Sequence, residues 1–277
     1  MSTQQRPADA DSVRWELTAK RYRGGRFMDP LLAEQFRHAH RNLVRRWAPG
    51  ALQGRVLKTD VFAEATCPPR AFSWDLCPQE QLVSVEISSG LTAAARENAV
   101  ALGHGAASYV TGDARTLPFA DESFGLIVSD STLDHFETGD EIRTSLRELA
   151  RILRPGGTLV ITLDNPTNMT QPLFCLWRLF GWSPYFIGRT LSHGALEEAL
   201  RACGLEVTDT TAILHNPRFF TKGALRLLRA TGSTRLDGFA RRCLRRIDRL
   251  ERLPTRYLTG LFVAARAVKP GSRTSTT

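Results

Sequence analysis

The sequence predicts an α/β fold with a doubly wound, mostly parallel sheet of seven strands. Short apolar segments alternate with amphipathic helical segments from residue 55 onward, and this order is typical of a parallel sheet. Residues 125–129 are wholly apolar at their centre, as in a strand that is buried on both faces. With 42% apolar and 23% charged residues, the 277-residue chain has the composition of a globular protein that can bury a full core.

The elements are predicted in chain order from their hydrophobic period. Residues 1–50 comprise a polar tail, residues 1–12, and a leading helix, residues 31–47, which ends at an Ala-Pro-Gly sequence. Residues 51–270 form the α/β domain, and residues 271–277 form a second loose tail. The strands of the domain are predicted at residues 55–59, 81–87, 108–111, 125–129, 158–163, 205–214 and 261–268.

Three helices connect these strands. Residues 91–102 have an Ala-rich face, residues 141–153 place Ile and Leu on one face, and residues 192–203 begin at a serine cap and stop at a glycine. The Arg-Pro-Gly-Gly sequence at residues 154–157 predicts a turn before the fifth strand. Two segments interrupt the alternation, an aromatic insert at residues 172–190 and an Arg-rich helical insert at residues 218–254.

Charge and cysteine content restrict the possible partners and compartment. Residues 215–270 carry 14 Lys/Arg and 3 Asp/Glu, so the net charge of +9 belongs to this C-terminal segment, which favours an anionic partner or a solvated helix face. The five cysteines are odd in number and none forms a CxxC pair, so neither a disulfide framework nor a metal site is expected. No secretory signal is visible at the N-terminus, and we expect a cytoplasmic protein that is either free or peripheral at the membrane.

Polar residues follow the predicted strands at the edge where an open parallel sheet binds its ligands. Glu86 ends the second strand, where a carboxylate can accept hydrogen bonds from both hydroxyls of an adenosine ribose. Asp113 follows the third strand, where a carboxylate can accept a hydrogen bond from the exocyclic amine of adenine. Ser129 and Asp130 end the fourth strand.

Three segments together resemble the class I S-adenosylmethionine-dependent methyltransferases: residues 83–88 (VSVEIS), 109–136 (YVTGDARTLPFADESFGLIVSDSTLDHF) and 148–165 (ELARILRPGGTLVITLDN). The second segment looks like the branch of the family that methylates small molecules and lipids. The resemblance covers residues 51–214 and 257–268 and implies a Rossmann-like sheet with an antiparallel final strand. It also implies S-adenosylmethionine as cofactor, held on the ribose by Glu86, on the adenine by Asp113, and by Ile87, Ala114, Ser129 and Asp130.

One segment departs from the family pattern. The first strand of the family leads into a glycine-rich loop, whereas residues 56–69 (VLKTDVFAEATCPP) contain no glycine. We expect the loop to hold the methionine part of the cofactor by charge instead. Asp60 or Glu64 would pair with its ammonium group, and Lys58 would face its carboxylate. The alternative is a degenerate loop that no longer binds the cofactor.

His135 is the first candidate for a base that orients or deprotonates the methyl acceptor, because it follows the fourth strand near the expected position of the transferable methyl group. Asp134 and Asp130 are alternatives, and His135 could instead be a packing or capping residue. His215, at the end of the sixth strand, could line the acceptor pocket. The aromatic insert is either a lid over a hydrophobic acceptor or a helix packed on the sheet.

The Arg-rich helix at residues 236–250 has an apolar stripe with arginines around it. The stripe could pack on the domain, or the helix could lie on an anionic membrane; RNA phosphate is less favoured because aromatic residues are sparse. The sequence therefore predicts methyl transfer to a small hydrophobic acceptor. An RNA methyltransferase docked through this helix, or a non-catalytic nucleoside-binding relic, is the alternative.

Overall fold

The predicted strands form one sheet in the computed structural model, which describes residues 8–22, 28–50, 54–180 and 186–271. The strands are β1 (Val56–Thr59), β2 (Leu82–Glu86), β3 (Ser108–Thr111), β4 (Phe124–Asp130), β5 (Leu153–Asp164), β6 (Glu206–Ile213) and β7 (Phe262–Val268). Their order is β3-β2-β1-β4-β5-β7-β6, and β7 runs antiparallel to both of its neighbours. The Rossmann-like fold predicted from the sequence is therefore confirmed.

Helices cover both faces of this sheet. They are α1 (Ala8–Tyr22), α2 (Pro30–Trp47), α3 (Phe62–Thr66), α4 (Ser89–Ala101), α5 (Gly139–Ile152), α6 (Gln171–Leu179), α7 (His193–Ala202), α8 (Arg218–Thr231), α9 (Thr234–Ile247) and α10 (Arg256–Thr259). Side-chain caps fix several of their starts. The hydroxyl of Thr138 accepts from the backbone N–H of Glu141, whose carboxylate accepts in return from the Thr138 N–H. In the described ranges, no helix is long and apolar enough to cross a bilayer.

The core lies in two layers, one on each face of the sheet. Leu126 and Val128 of β4 pack with the layer under α2, α3 and α4, whereas Ile127 packs with the layer under α5 and α7. Neighbouring residues of a strand point to opposite faces, so a wholly apolar strand supplies both layers. The sheet edge is thus held rigidly at the ends of β1 to β4.

Two local predictions differ from the structure. Residues 8–12, predicted as part of a loose tail, begin helix α1. Its apolar residues lie on more than one side, because Trp15, Ala19 and Tyr22 pack on the core whereas Val13 and Leu17 are exposed, so no single apolar face stands out in the sequence. The Arg-Pro-Gly-Gly sequence lies inside β5 rather than in a turn before it. Gly156 adopts a φ of +73° and donates its N–H to the carbonyl of Lys269, which makes an irregularity within a continuous strand.

Within the aromatic insert, helix α6 is formed and Trp182 and Tyr185 lie outside the described residues. The Arg-rich insert forms the two helices α8 and α9 followed by a 3₁₀ turn, Asp248–Arg252. Leu225 of α8 and Leu244 of α9 pack against Leu31 and Leu32 of α2. One face of the insert therefore packs on the domain.

Candidate active site

A cleft of about 570 Å³, counted out to the solvent, lies at the carboxyl ends of β1 to β4. The strand order reverses between β1 and β4, which is where open α/β sheets bind their ligands. Six residues predicted as site residues line this cleft: Asp60, Glu86, Ile87, Asp113, Ala114 and His135. Thr59, Val85, Gly112, Thr132 and Phe136 complete its floor and walls, and Asp11 and Trp15 reach it from α1.

Glu86 is fixed at the end of β2 by two backbone donors. One carboxylate oxygen accepts from the N–H of Val61 at 3.2 Å, and the other accepts from the N–H of Ser88 at 3.0 Å. Each oxygen keeps a second lone pair, so the carboxylate can still accept two hydroxyl hydrogen bonds. Burial, together with the nearby Asp60 carboxylate, raises the pKa of Glu86 to about 8.

Asp113 is held at the other end of the cleft by Arg115. The Arg115 guanidinium donates to both carboxylate oxygens of Asp113 and contacts Glu141 at 2.6 Å and Asp11 of α1 at 2.9 Å. Directly before Asp113, the backbone at Gly112 packs closely against Val85 and Pro118. A Cβ at this position would lie only 3.2 Å from each of them, so glycine suits it. Asp113 and Glu86 thus line the same cleft, and they lie at the ends of the neighbouring strands β3 and β2.

The glycine-free loop after β1 still makes a tight turn. Asp60 adopts a φ of +70°, a left-handed conformation that ordinarily favours glycine. The ammonium group of Lys58 donates to the Asp60 carbonyl at 2.5 Å and lies 3.4 Å from the carboxylate of Glu64. Glu64 also accepts from the hydroxyl of Ser73 at 2.6 Å. Charged side chains therefore brace the turn from within the core.

This arrangement corrects the predicted roles of Lys58 and Glu64. Both are fully buried, neither lines the cleft, and each satisfies the charge of the other. The sequence pattern suggested charges that face the cofactor. Side chains alternate between the two faces of β1, and the Lys58 side chain lies on a face of the sheet that is buried under the loop. Of the three charged residues proposed for the methionine part, Asp60 lines the cleft.

Ser129 and Asp130 were predicted to floor the pocket, and neither lines it. Ser129 is fully buried and accepts from the hydroxyl of Thr59 at 3.0 Å. Asp130 lies 2.9 Å from Nε2 of His40 on α2, in a pair that is buried on both sides. Burial opposes the charge of Asp130, yet His40, followed by Lys58 and Arg70, lowers the pKa of Asp130 well below its usual range.

His135 lies on the wall of the cleft. Its Nδ1 is 2.7 Å from the carbonyl oxygen of Phe186, and its ring meets Trp15 edge to face at a centroid distance of 4.7 Å. Because a carbonyl can only accept, Nδ1 carries the proton of the neutral ring and Nε2 carries the lone pair. This tautomer is the one that a general base requires.

Asp134 lies behind His135 and does not line the cleft. Its carboxylate accepts from the N–H of Asp164 at 2.7 Å and the hydroxyl of Ser131 at 2.9 Å, and it lies 3.9 Å from His135 Nε2. Burial, partly offset by the charge of His135, raises the pKa of Asp134 to about 6. Asp134 thus holds the loop behind His135, and its direct role on the acceptor stays a prediction.

Helix α1 supplies the contacts that the sequence did not predict. Trp15 covers the cleft beside His135, and the carboxylate of Glu16 accepts from the N–H of Gly90 at 2.7 Å and the hydroxyl of Ser89 at 3.2 Å. Glu16 thereby caps the start of α4, and the Gly90 N–H lowers the pKa of Glu16. The spacing of Trp15, Ala19 and Tyr22 at i, i+4 and i+7 is the sequence signal that could have revealed this helix.

His215 does not reach this cleft. Its Nδ1 contacts the hydroxyl of Thr259 at 2.8 Å and its Nε2 contacts the carbonyl of Ala212 at 3.0 Å. It lines a separate cavity between α2, α9 and the end of β6. The suggestion that His215 lines the acceptor pocket therefore finds no support in its position.

Comparison with known proteins agrees with this geometry. Residues 68–161 match the family model described as a methyltransferase domain. The chain is 32% identical over 222 residues to malonyl-[acyl-carrier protein] O-methyltransferase of Enterobacter lignolyticus (strain SCF1), covering 77% of this chain and 81% of that protein. It is 35% identical over 140 residues to O-methyltransferase resE of Aspergillus sclerotiorum, covering 48% and 50%.

A solved structure shares the fold. Phosphoethanolamine N-methyltransferase 2 of Haemonchus contortus, in complex with S-adenosylmethionine, superposes with a TM-score of 0.56 at 17% identity, covering 91% of this chain and 60% of that chain. Because the relative at 32% identity covers more than two thirds of both chains and is a methyltransferase by name, the chain belongs to the class I S-adenosylmethionine-dependent methyltransferases. It is an enzyme of that class, with S-adenosylmethionine as its cofactor, and the non-catalytic alternative is set aside.

The cleft residues fit this cofactor. Glu86 offers two lone pairs where a ribose diol would lie, Asp113 offers one to an adenine amine, and Asp60 offers a carboxylate to an ammonium group. When bound, the cofactor supplies an electrophilic methyl group on a sulfonium. The chain then has to orient the acceptor, exclude water and receive a proton where the acceptor carries one.

Proposed function

We propose that this methyltransferase methylates an oxygen atom of a small, largely apolar acceptor. Both curated relatives described above are named O-methyltransferases, which supports oxygen as the methylated atom. The two aromatic side chains Trp15 and Phe136 flank His135 on the cleft wall, and they favour an apolar acceptor over a polyanion.

The observation that carries the proposal is the contact of His135 Nδ1 with the Phe186 carbonyl at 2.7 Å. It leaves the Nε2 lone pair as the accepting atom of the neutral ring. An acceptor hydroxyl loses its proton to Nε2 as its oxygen forms the new bond to the methyl carbon and the carbon–sulfur bond breaks. The Asp134 carboxylate, whose Oδ1 lies 3.9 Å from Nε2, would favour the positive charge of the imidazolium that results.

The test is an acceptor panel with methyl-labelled S-adenosylmethionine. The panel pairs apolar phenols and long-chain alcohols with the same molecules as methyl ethers, and includes apolar amines, an acyl carboxylate and total RNA. We expect label in the apolar hydroxyl compounds and none in their ethers. Label that enters RNA, or a nitrogen acceptor in preference to the hydroxyl compounds, contradicts the proposal.

A variant of His135 separates an effect on the acceptor from an effect on cofactor binding. His135→Gln should lower kcat by roughly 10²- to 10⁴-fold and leave the dissociation constant of S-adenosylmethionine unchanged, because the base acts on the acceptor. His38→Gln, at an exposed histidine of α2, is the matched control and should keep full activity. Full activity of His135→Gln would show that His135 does not receive the proton of the acceptor hydroxyl.

A further inference from the structure

Helices α8 and α9 leave one face exposed after packing on the domain. Their inner face is anchored by Leu225 and Leu244, by the ion pair of Arg229 with Asp29 at 3.0 Å, and by that of Arg241 with Glu34 at 2.9 Å. On the outer side, large apolar side chains are exposed: Phe220 at 72%, Leu227 at 76%, Leu236 at 40% and Phe239 at 58%. These four residues and the arginines around Phe239 are called the α8–α9 face below.

The residues around Phe239 form an amphipathic pattern that suits a lipid surface. Arg235, Arg242 and Arg246 lie four residues before, three after and seven after Phe239, so all four share one side of α9, and all are exposed. Residues 218–252 carry eleven Lys/Arg and three Asp/Glu. A helix with arginines beside exposed Phe and Leu is typical of proteins that bind at the headgroup level of a bilayer.

A second apolar stripe occurs on α6 and its preceding turn. Met169, Leu173, Leu176 and Phe180 follow the i, i+4, i+7, i+11 spacing of one helix side, and each is between 46% and 71% exposed. Helices α6 and α8 follow the carboxyl ends of β5 and β6, and those ends lie at the same edge of the sheet as the cleft. A surface that binds through this edge would bring the cleft close to the bilayer.

We infer that the α8–α9 face binds the surface of an anionic lipid bilayer. Charge complementarity supplies the attraction, and insertion of Phe220, Leu227, Leu236 and Phe239 supplies the hydrophobic contribution. An RNA strand would pair with the arginines but would leave the aliphatic residues exposed, and Phe239 is the one aromatic residue on α9. The inference does not depend on the identity of the methyl acceptor.

The test is co-sedimentation of the full chain with vesicles of phosphatidylcholine alone and with vesicles that also contain phosphatidylglycerol. We expect binding to the anionic vesicles that weakens at high salt. Arg242→Glu/Arg246→Glu should weaken this binding about twenty-fold or more, at roughly fivefold per arginine. Phe239→Ser should weaken it by about tenfold, because an inserted aromatic ring is lost.

Matched controls lie on other exposed surfaces. Arg143→Glu/Arg147→Glu on α5 makes the same charge change, and Val100→Ser/Leu102→Ser removes exposed apolar side chains at the end of α4. Both controls should bind vesicles as the wild type does. Binding of S-adenosylmethionine is measured for every variant, and it should be unchanged, which shows that the chain is folded.

Three outcomes overturn the inference. These are equal binding to neutral and anionic vesicles, equal weakening by the α5 and α9 charge reversals, and retention on single-stranded RNA or on an acidic protein without vesicle binding. The vesicle outcomes do not bear on methyl transfer. Retention on RNA is distinguished from failure of the proposed function by the acceptor panel, because RNA that is bound without taking up label leaves the proposed function intact.

Discussion

The ammonium group of Lys58 donates a hydrogen bond to the carbonyl oxygen of Asp60 at 2.5 Å, while Asp60 holds a φ of +70°. A non-glycine residue in the left-handed region costs about 1–2 kcal/mol, so the turn needs a compensating contact. Lys58 provides it, and Glu64 balances the buried charge. The turn after β1, which contains no glycine, is thus held by side chains.

The first prediction is that glycine at position 60 makes the contacts of Lys58 and Glu64 unnecessary for the turn after β1. Lys58→Met/Glu64→Gln removes the ion pair without leaving a lone buried charge, and should weaken S-adenosylmethionine binding. Asp60→Gly changes the dissociation constant of S-adenosylmethionine by one factor in the wild type and by another in that background. We expect the second factor to be about tenfold more favourable to binding, because glycine adopts positive φ without support. Calorimetric titration of the four proteins measures the coupling, and additive effects would show that Lys58 does not support the turn.

The second prediction concerns pH and Glu86. Its pKa is raised to about 8, so the carboxyl is mostly protonated at neutral pH, whereas two ribose hydroxyls require the ionised form. Binding should therefore release a proton, and the dissociation constant should fall by about tenfold between about pH 7 and about pH 9. Titration in buffers of different ionisation enthalpy counts the proton.

Glu86→Gln is the control for this pH dependence. It should bind more weakly and lose most of the change with pH, because no ionisation at position 86 remains. The stability of the cofactor-free protein should show the opposite slope. A carboxyl with a raised pKa in the folded state stabilises at low pH and loses that contribution as pH rises through about 8.

The sequence predicted the strand ends well because β-strand alternation and a following polar residue are local signals. Glu86 and Asp113 line the cleft for that reason. The complete burial of Lys58 and Glu64 could not be predicted from the sequence, because a charged residue in or next to a strand ordinarily indicates an exposed or ligand-facing position. Their mutual neutralisation and the hydroxyl of Ser73 make burial possible, and that pairing depends on the tertiary packing of α3.

Helix α1 was missed for a different reason. Trp15, Ala19 and Tyr22 pack on the core, while Val13 and Leu17 are exposed on another side of the helix, so the apolar residues do not form one clear stripe in the sequence. Asp11 and Glu16 add ionic contacts and hydrogen bonds that a hydrophobic pattern does not show. Arg115 connects Asp11 to Asp113 across the cleft, and the sequence does not reveal such a three-way ion pair.

The third prediction is that α1 slows release of the cofactor. Glu16→Ala removes the hydrogen bonds that join α1 to Ser89 and Gly90 at the start of α4. This should loosen Trp15 over the cleft and raise the dissociation rate of S-adenosylmethionine by roughly five- to tenfold. Trp15→Ala should act in the same direction. Stopped-flow measurement of release tests both variants, and Glu97→Ala on the exposed side of α4 is the control. Unchanged release in both variants would show that α1 is not a cover.

The fourth prediction separates stability from binding at Asp130. Its buried partner His40 lies 2.9 Å away, and removal of one member of such a pair leaves the other uncompensated. Asp130→Ala should lower the free energy of unfolding by about 3–5 kcal/mol, whereas Asp130→Leu combined with His40→Phe should recover much of this loss. The dissociation constant of S-adenosylmethionine should change little in the double variant, because Asp130 does not line the cleft.

The pH dependence of the same variants provides an independent check. A carboxylate whose pKa is lowered in the folded state contributes stability above its unfolded pKa, and that contribution is lost as pH falls. The stability difference between the wild type and the double variant should therefore shift in favour of the double variant below about pH 4. Chemical denaturation across this range measures it. A pH-independent difference would contradict the buried pair of Asp130 with His40. A large loss of cofactor affinity in the double variant would show that Asp130 contributes to cofactor binding.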